Sequence, residues 1–298
     1  MANAQSRLML SQQITPTRQF NMRFSICSWT FGNTPIEQVF ALVSAAGYAC
    51  IDLTATVDDF DCDRVARLAR DFSLEISGLT CDSGWPAEEH DLANKNVLNR
   101  QKAAAYFKRQ IETVRTVGGD YLIVVPSAVG KSAPMGRDTA EDWKWGVESV
   151  CNLTETAEEN GVTLVIEPLN RYESCIVNTA EDALRFVKEV NHRRVKALLD
   201  TYHMNIEEAD LHQAFLTLPD WVEVVHFADS NRQALGQGHI DFSKVVSGMK
   251  AIGFDKTIVL ECTAPGPNPF KADKGERTAQ IMSGYAKESL AKLKEWFV

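Results

Sequence analysis

The chain has 298 residues, 45% hydrophobic and 24% charged, a globular composition with enough length for one large α/β barrel or two small domains. Its 31 basic and 40 acidic residues leave a net charge of −9, which argues against a general nucleic-acid coat, and no run of about 18 apolar residues offers a transmembrane helix. Seven scattered cysteines with no CxxC pair point to a reducing, cytoplasmic setting rather than to a disulfide framework or cysteine-held zinc.

Residues 1–21 are polar, lack the apolar stretch of a secretory signal, and predict a flexible leader. From there short apolar runs alternate with amphipathic ones. A strand at 24–27 precedes a helix over 35–46 that stops at Gly47. Strands at 48–53 and 74–79 flank a helix near 60–72, and a long helix near 99–117 stops at Gly118-Gly119. The fully apolar 121–125 (YLIVV) predicts a strand, then a helix over 140–160 stopped by Gly161. Strands at 162–167 (VTLVIE), 195–200 (VKALLD), 222–227 (VEVVHF) and 257–261 (TIVLE) follow, with helices near 180–190, 207–218, 242–252 and 276–296 between and after them. Continuous Val/Ile/Leu runs are what strands covered on both faces require. Eight such βα units, with no linker that would divide the chain, predict a single (β/α)8 TIM barrel over 22–298. An open doubly wound sheet would carry a glycine-rich turn after its first strand, and Ser28–Gly32 is not one.

Active sites of such barrels lie at the carboxyl ends of the strands. The fifth strand ends in Glu167, the sixth in Asp200, the seventh carries His226 and the eighth ends in Glu261. A carboxylate closing an apolar run is costly to bury unless paired or metal-bound. Any one of these acids could cap the next helix or meet an arginine, but four polar strand ends in succession predict convergence on one point. The oxygen-rich set suits one divalent ion, Mn²⁺ first, with Mg²⁺ or Co²⁺ as alternates.

Ile166–Glu173 (IEPLNRYE) resembles the E-x-x-N-R-[FY]-E run of the D-tagatose 3-epimerase and D-psicose (allulose) 3-epimerase family, within the xylose-isomerase-like barrels. Leu199–Glu208 (LDTYHMNIEE) is similar to the same family's L-D-T-[FY]-H-M-N-I-E-E segment. Asn231-Arg232 with Gly236-Gln237-Gly238 resembles its N-R-x(3)-G-x-G segment, and Ile258–Glu261 its last-strand glutamate. The likeness is strong over 163–261 and poor over the first 70 residues. It implies a xylose-isomerase-like barrel in which Glu167, Asp200, His226 and Glu261 hold a metal ion. It further implies Glu167 and Glu261 as the two acid/base groups, and His203, Arg232 and Glu173 as sugar-binding residues. The activity implied is epimerisation of a ketose at C3, the carbon next to the ketone, by a homodimer or homotetramer acting on a small sugar, with no nucleic-acid or membrane partner.

The residues agree with that chemistry. Epimerisation beside a ketone needs a proton removed from one face and returned to the other, which two carboxylates can perform through an enediolate. The same enolising start also serves an aldose–ketose isomerase of the hydroxypyruvate isomerase type, an inosose dehydratase, or a lyase acting on a 3-keto-glycoside. A non-catalytic sugar-binding barrel would not need both glutamates, and a DNA-repair endonuclease of this fold would need more than six histidines and a basic groove. Trp29, Phe31 and Trp85 are candidate pocket-lining or packing aromatics, Gly236 and Gly238 shape a loop, and the segments 127–139 and 264–269 are candidate lids. Lys271, Lys274 and Arg277 could meet a phosphate, although a solvated charge cluster is the plainer reading.

Overall fold

The computed structural model describes residues 22–55, 61–81, 88–132, 138–266 and 273–298; the leader, Trp85 and Lys271 lie outside them. Eight parallel strands, β1 (Arg23–Ile26), β2 (Cys50–Ala55), β3 (Glu75–Cys81), β4 (Tyr121–Val124), β5 (Thr163–Ile166), β6 (Val195–Asp200), β7 (Val222–Phe227) and β8 (Thr257–Leu260), form one sheet in the order β1-β8-β7-β6-β5-β4-β3-β2. The seam between β1 and β2 is closed by a single parallel bridge, Cys27 to Asp52. Side chains reinforce it: Thr54 N donates to Ser28 Oγ at 2.9 Å, and Ser77 of β3 ties both strands, its hydroxyl sharing a hydrogen bond of 2.8 Å with that of Ser25 and lying 3.2 Å from Ile51 O.

The helices are α1 (Ile36–Ala46), α2 (Cys62–Asp71), α3 (Val97–Val117), α4 (Ala140–Cys151), α5 (Thr154–Asn160), α6 (Ala180–Val190), α7 (Thr201–Glu207), α8 (Leu211–Thr217), α9 (Phe242–Ala251) and α10 (Thr278–Phe297). The helices differ from expectation in two places. The 140–160 stretch bends at Asn152-Leu153, where the fully buried Leu153 lets α4 lie against α6 while α5 lies against α3. The helix expected over 207–218 is the shorter α8, and a separate helix that was not expected, α7, precedes it over Thr201–Glu207; an aspartate starts each one. Asp200 caps α7 through Tyr202 N, and Asp210 caps α8 through His212 N and Gln213 N.

The period of two along each strand divides the apolar residues between two cores. Leu122, Val124, Leu164, Ile166, Leu199, Val225, Ile258 and Leu260 face outward into the large core under the helices. Cys27, Tyr121, Ile123, Val165, Leu198, Val224 and Val259 fill the barrel interior. Gly78 makes room in that interior, since a Cβ there would run into the Tyr121 ring. The phenol then donates to the fully buried Asp52 carboxylate at 2.7 Å, beside a Thr80 hydroxyl at 2.7 Å.

Helix α6, which follows the β5 loop, begins with a reciprocal capping box. Thr179 Oγ1 accepts from Asp182 N, and the Asp182 carboxylate accepts from Thr179 N, both at 3.1 Å. Thr179→Ala is expected to lower stability by about 1 kcal/mol. Urea unfolding checks this: the midpoint should fall with an unchanged slope, and an unaltered midpoint refutes the role.

Candidate active site at the carboxyl end of the barrel

The inward parity that places Val165, Leu198, Val224 and Val259 in the barrel interior places the residues two further along at its mouth. Those are Glu167, Asp200, His226 and Glu261, all buried. Pairing of β6 with β7 sets Asp200 beside His226, and Val259 sits opposite His226 across β7–β8. His226 Nδ1 is at the centre: it lies 3.5 Å from Glu261 Oε1, 3.6 Å from Glu167 Oε1 and 3.8 Å from Asp200 Oδ2. The four residues expected to converge do so.

Asp200 has two jobs at once. Its Oδ1 accepts from Tyr202 N at 2.6 Å as the cap of α7, which leaves Oδ2 buried without a hydrogen-bond partner and facing His226. Both ring nitrogens of His226 are also buried without hydrogen-bond partners among the described residues. Unpaired buried polar atoms are rare and costly unless something satisfies them. An oxygen-rich set with one imidazole and a gap between the donors fits a hard divalent cation. Ligand atoms of Glu167, Asp200 and His203 lie within 4.8 Å of one another, as do those of Cys27, His226 and Glu261.

The electrostatics follow from crowding acids in a dry place. Burial first, then the charges of Glu261 and Asp200, push the Glu167 carboxyl well above the usual range, with His226 opposing. Burial and Glu261 raise Asp200 to about 7. Burial would likewise raise Glu261, but the guanidinium of Arg232 and the ring of His226 overcome it and hold Glu261 below the usual carboxylate range. Burial disfavours a charged His226, yet Glu261, Glu167 and Asp200 raise it to about 10.

The residues expected to bind substrate surround this cluster. Arg232 is buried and pairs with Glu261 through Nη2, while its Nε is buried with no hydrogen-bond partner among the described residues. Its backbone has φ 57°, a left-handed conformation unusual for arginine, held because Arg232 N donates to Asp229 O at 2.8 Å and Thr263 N donates to Arg232 O at 2.6 Å. The loop is built on Asp229, whose carboxylate accepts from Ser230 N, Gly236 N and Ile240 N. Gly238 lies so close to that carboxylate that a Cβ would collide with Oδ1. Gly238→Ala is therefore expected to displace the Arg232 loop. It should lower the melting temperature and weaken sugar binding at least tenfold, while sparing the strand-end cluster. Unchanged thermal unfolding and unchanged sugar affinity would contradict this.

His203 Nδ1 accepts from Asn170 N at 3.1 Å, and Asn170 Nδ2 lies 2.9 Å from the same nitrogen. Burial first, then Arg232, lowers His203 to about 3, so the ring is neutral and its proton sits on Nε2. Asn170 Nδ2 also donates to Glu173 Oε1 at 2.7 Å; Glu173 is buried, and burial raises its carboxyl against the opposing charge of Arg232. Arg171 and Glu207, from the two strongest motifs, instead pair with each other, with N–O distances of 2.7 to 3.2 Å.

Sequence reasoning missed two residues and left a third undecided. Asn170 holds His203 and Glu173, and its signal was its place inside the 166–173 motif. Cys27 adjoins Glu261 and His226, its thiol raised well above the ordinary value by burial and then by Asp52 and Glu261. Trp29, left open between packing and pocket, donates its indole N–H to Glu261 Oε1 at 3.2 Å. Phe31, by contrast, is buried in the outer core. Arg277 sits at the start of α10, and the 264–269 segment is described only as far as Gly266.

A barrel with this sheet order and a polar cluster at its mouth belongs to a recognisable class. A family model described as the xylose isomerase-like TIM barrel matches residues 40–288, and the chain belongs to that family. Within it, the chain is 32% identical over 191 residues to a D-psicose 3-epimerase of Ruminiclostridium cellulolyticum, covering 62% of this chain and 64% of that protein, just under two thirds of its length. It is 29% identical over 243 residues to a 3-dehydro-D-guloside 4-epimerase of Escherichia coli, covering 80% of this chain and 90% of that protein. A solved structure of an L-ribulose 3-epimerase superposes with a TM-score of 0.82 at 25% identity, covering 93% of this chain and 94% of that one. Among the described residues, no helix is long and apolar enough to cross a membrane.

Proposed function

We propose that this protein is a divalent-metal-dependent epimerase of a ketose or keto-sugar, inverting the carbon next to the ketone. The observation that carries the reading is the meeting of Glu167, Asp200 and Glu261 around His226 Nδ1, with unpaired buried atoms facing inward. Those four residues would hold the ion, with Mn²⁺ the first candidate and Mg²⁺ or Co²⁺ alternates. A divalent ion there would supply charge stabilisation to the negative charge that develops during enolisation.

The chain's own groups do the rest. His203, neutral with its proton on Nε2, donates to a sugar oxygen, and the unpartnered Nε of Arg232 is a second donor. Glu173, held by Asn170, accepts from a sugar hydroxyl. Glu167 and Glu261 stand on opposite sides of the substrate. One takes the proton from the carbon beside the ketone while the other returns a proton to the far face, and their roles exchange in the reverse direction.

The relatives' names support this reading as chemistry shared by proteins acting beside a ketone. The E. coli relative, matched over 90% of its length, favours a second version in which the ketone is at C3 of a glycoside and C4 is inverted. The deciding experiment incubates the Mn²⁺-loaded protein with a panel of ketoses and 3-keto-glycosides in deuterated water and follows products by NMR. An epimer carrying deuterium at the inverted carbon is expected. A shifted carbonyl, or loss of water or an aglycone, would move the enzyme to an isomerase or a lyase. Complete retention of the carbon-bound hydrogen in an epimerised product would refute two-base proton transfer. The same preparation, run on a sizing column, checks the expected dimer or tetramer.

A further inference from the structure

We propose that Trp29 is a positioning residue for Glu261, the group that fixes one of the two acid/base carboxylates in its working orientation. The proposal rests on the reading of Glu261 as an acid/base group. Pairing of β1 with β8, in which Ile26 faces Leu260, brings the turn after β1 alongside the residue after β8. That turn, the short 3-10 helix Ser28–Phe31, projects Trp29 so that Nε1 donates to Glu261 Oε1 at 3.2 Å. The other carboxylate oxygen, Oε2, receives Arg232 Nη2. The Arg232 guanidinium is itself set between two rings, 5.5 Å from the centre of Trp29 and 4.7 Å from that of Tyr202. Trp29 thus touches Glu261 directly and also steadies the cation that holds its second oxygen. Among the described residues, the carboxylate of Glu167 receives no side-chain hydrogen bond of this kind. The two carboxylates are therefore held unequally: Glu261 is clamped at both oxygens, and Glu167 is left to be set by its strand and by His226.

The functional consequence is face-specific. A carboxylate that must meet a C–H bond on one face of a sugar loses rate when its orientation is loosened, even if binding is intact. Trp29→Phe removes the N–H donor and retains an aromatic ring beside Arg232. A charge-assisted hydrogen bond of this type makes the expected loss in kcat about tenfold, with KM changed less than about twofold. Solvent-deuterium exchange should slow only from the epimer whose proton faces Glu261. Equal slowing from both epimers, with a lowered melting temperature, would mean that Trp29 merely packs, and would overturn the proposal.

A second readout does not depend on activity. With the six tryptophans labelled with ¹⁵N in the indole ring, Trp29→Phe identifies the Trp29 Nε1–H signal by its disappearance. Glu261→Gln in the otherwise unaltered protein should move that signal and leave the signals of distant tryptophans in place. A Trp29 signal that ignores Glu261→Gln removes the contact and with it the proposal. If the signal responds but no sugar exchanges deuterium, the epimerase reading fails while the positioning of Glu261 by Trp29 stands.

Discussion

Asp200→Asn should fold normally and lose affinity for the divalent ion proposed to bind at the strand ends. The substituted side chain keeps an oxygen to cap α7 through Tyr202 N, so the helix start survives. What disappears is the anionic Oδ2 that faces His226 without a partner. Mn²⁺ affinity is expected to fall by more than about 100-fold, beyond what the loss of an outer-shell contact usually costs. In chelator the variant should melt at or slightly above the wild type, because one member of a repelling group of buried acids has become neutral. Calorimetric Mn²⁺ titration and melting curves with and without chelator check both halves. Mn²⁺ binding equal to wild type would remove Asp200 from the ligand set.

The same cluster gives metal binding a pH dependence of known sign. Without an ion, burial and the neighbouring Glu261 charge raise Asp200 to about 7, and the surrounding carboxylates raise His226 to about 10. A raised carboxyl stabilises the fold below its unfolded value, and that contribution is lost as pH climbs from roughly 4 through 7. The raised imidazole adds a contribution that is complete below roughly 6.5 and disappears as pH rises towards 10. Protons and the ion compete for the same atoms, so affinity for the ion climbs over the same window. The rise in melting temperature produced by Mn²⁺ should therefore be larger at about pH 8 than at about pH 5.5. A shift of equal size at both would indicate that the ion binds elsewhere.

Glu167→Gln is the second large effect. Gln cannot take a proton, so epimerisation should fall by roughly 10²- to 10⁴-fold, the usual contribution of a positioned acid/base group. The loss should be one-sided. The epimer whose proton faces Glu261 should still exchange with deuterated water, whereas the other should not. Exchange is then uncoupled from inversion. Glu261→Gln should give the mirror pattern, although it also strips Arg232 and Trp29 of their shared partner and so disturbs sugar binding as well. NMR of each epimer after partial turnover reads the outcome directly. In Glu167→Gln saturated with Mn²⁺, as checked by calorimetry, loss of exchange from both epimers would show that one base serves both faces.

The eight strands were legible because parallel strands buried on both faces leave near-continuous apolar runs, and runs such as 121–125 and 257–260 have no amphipathic helix reading. The four strand-end residues were legible for a related reason: an acid or histidine closing such a run has no apolar use there. The break at 152 and the extra helix over 201–207 were not. Their causes are a buried Leu153 that plugs a bend and an aspartate, Asp200, that starts a helix directly at the end of β6.

The amino-acid order by itself thus determined the βα rhythm, the barrel class and the identity of the strand-end cluster, all of which depend on local periodicity and on the cost of burying charge. It could not determine which parity of each strand faces inward, because both faces are apolar and the alternation carries no contrast. Only closure of the sheet decided that Val165, Leu198, Val224 and Val259 fill the interior, and hence that Glu167, Asp200, His226 and Glu261 point to one centre. Closure also decided the contacts of long sequence separation. Trp29 reaches Glu261, and Asn170 reaches His203, only when β1 meets β8 and β5 lies beside β6. Such pairs leave no periodic trace in one sequence, since each partner lies just past a strand end, in a loop or short helix placed by the element packed against it.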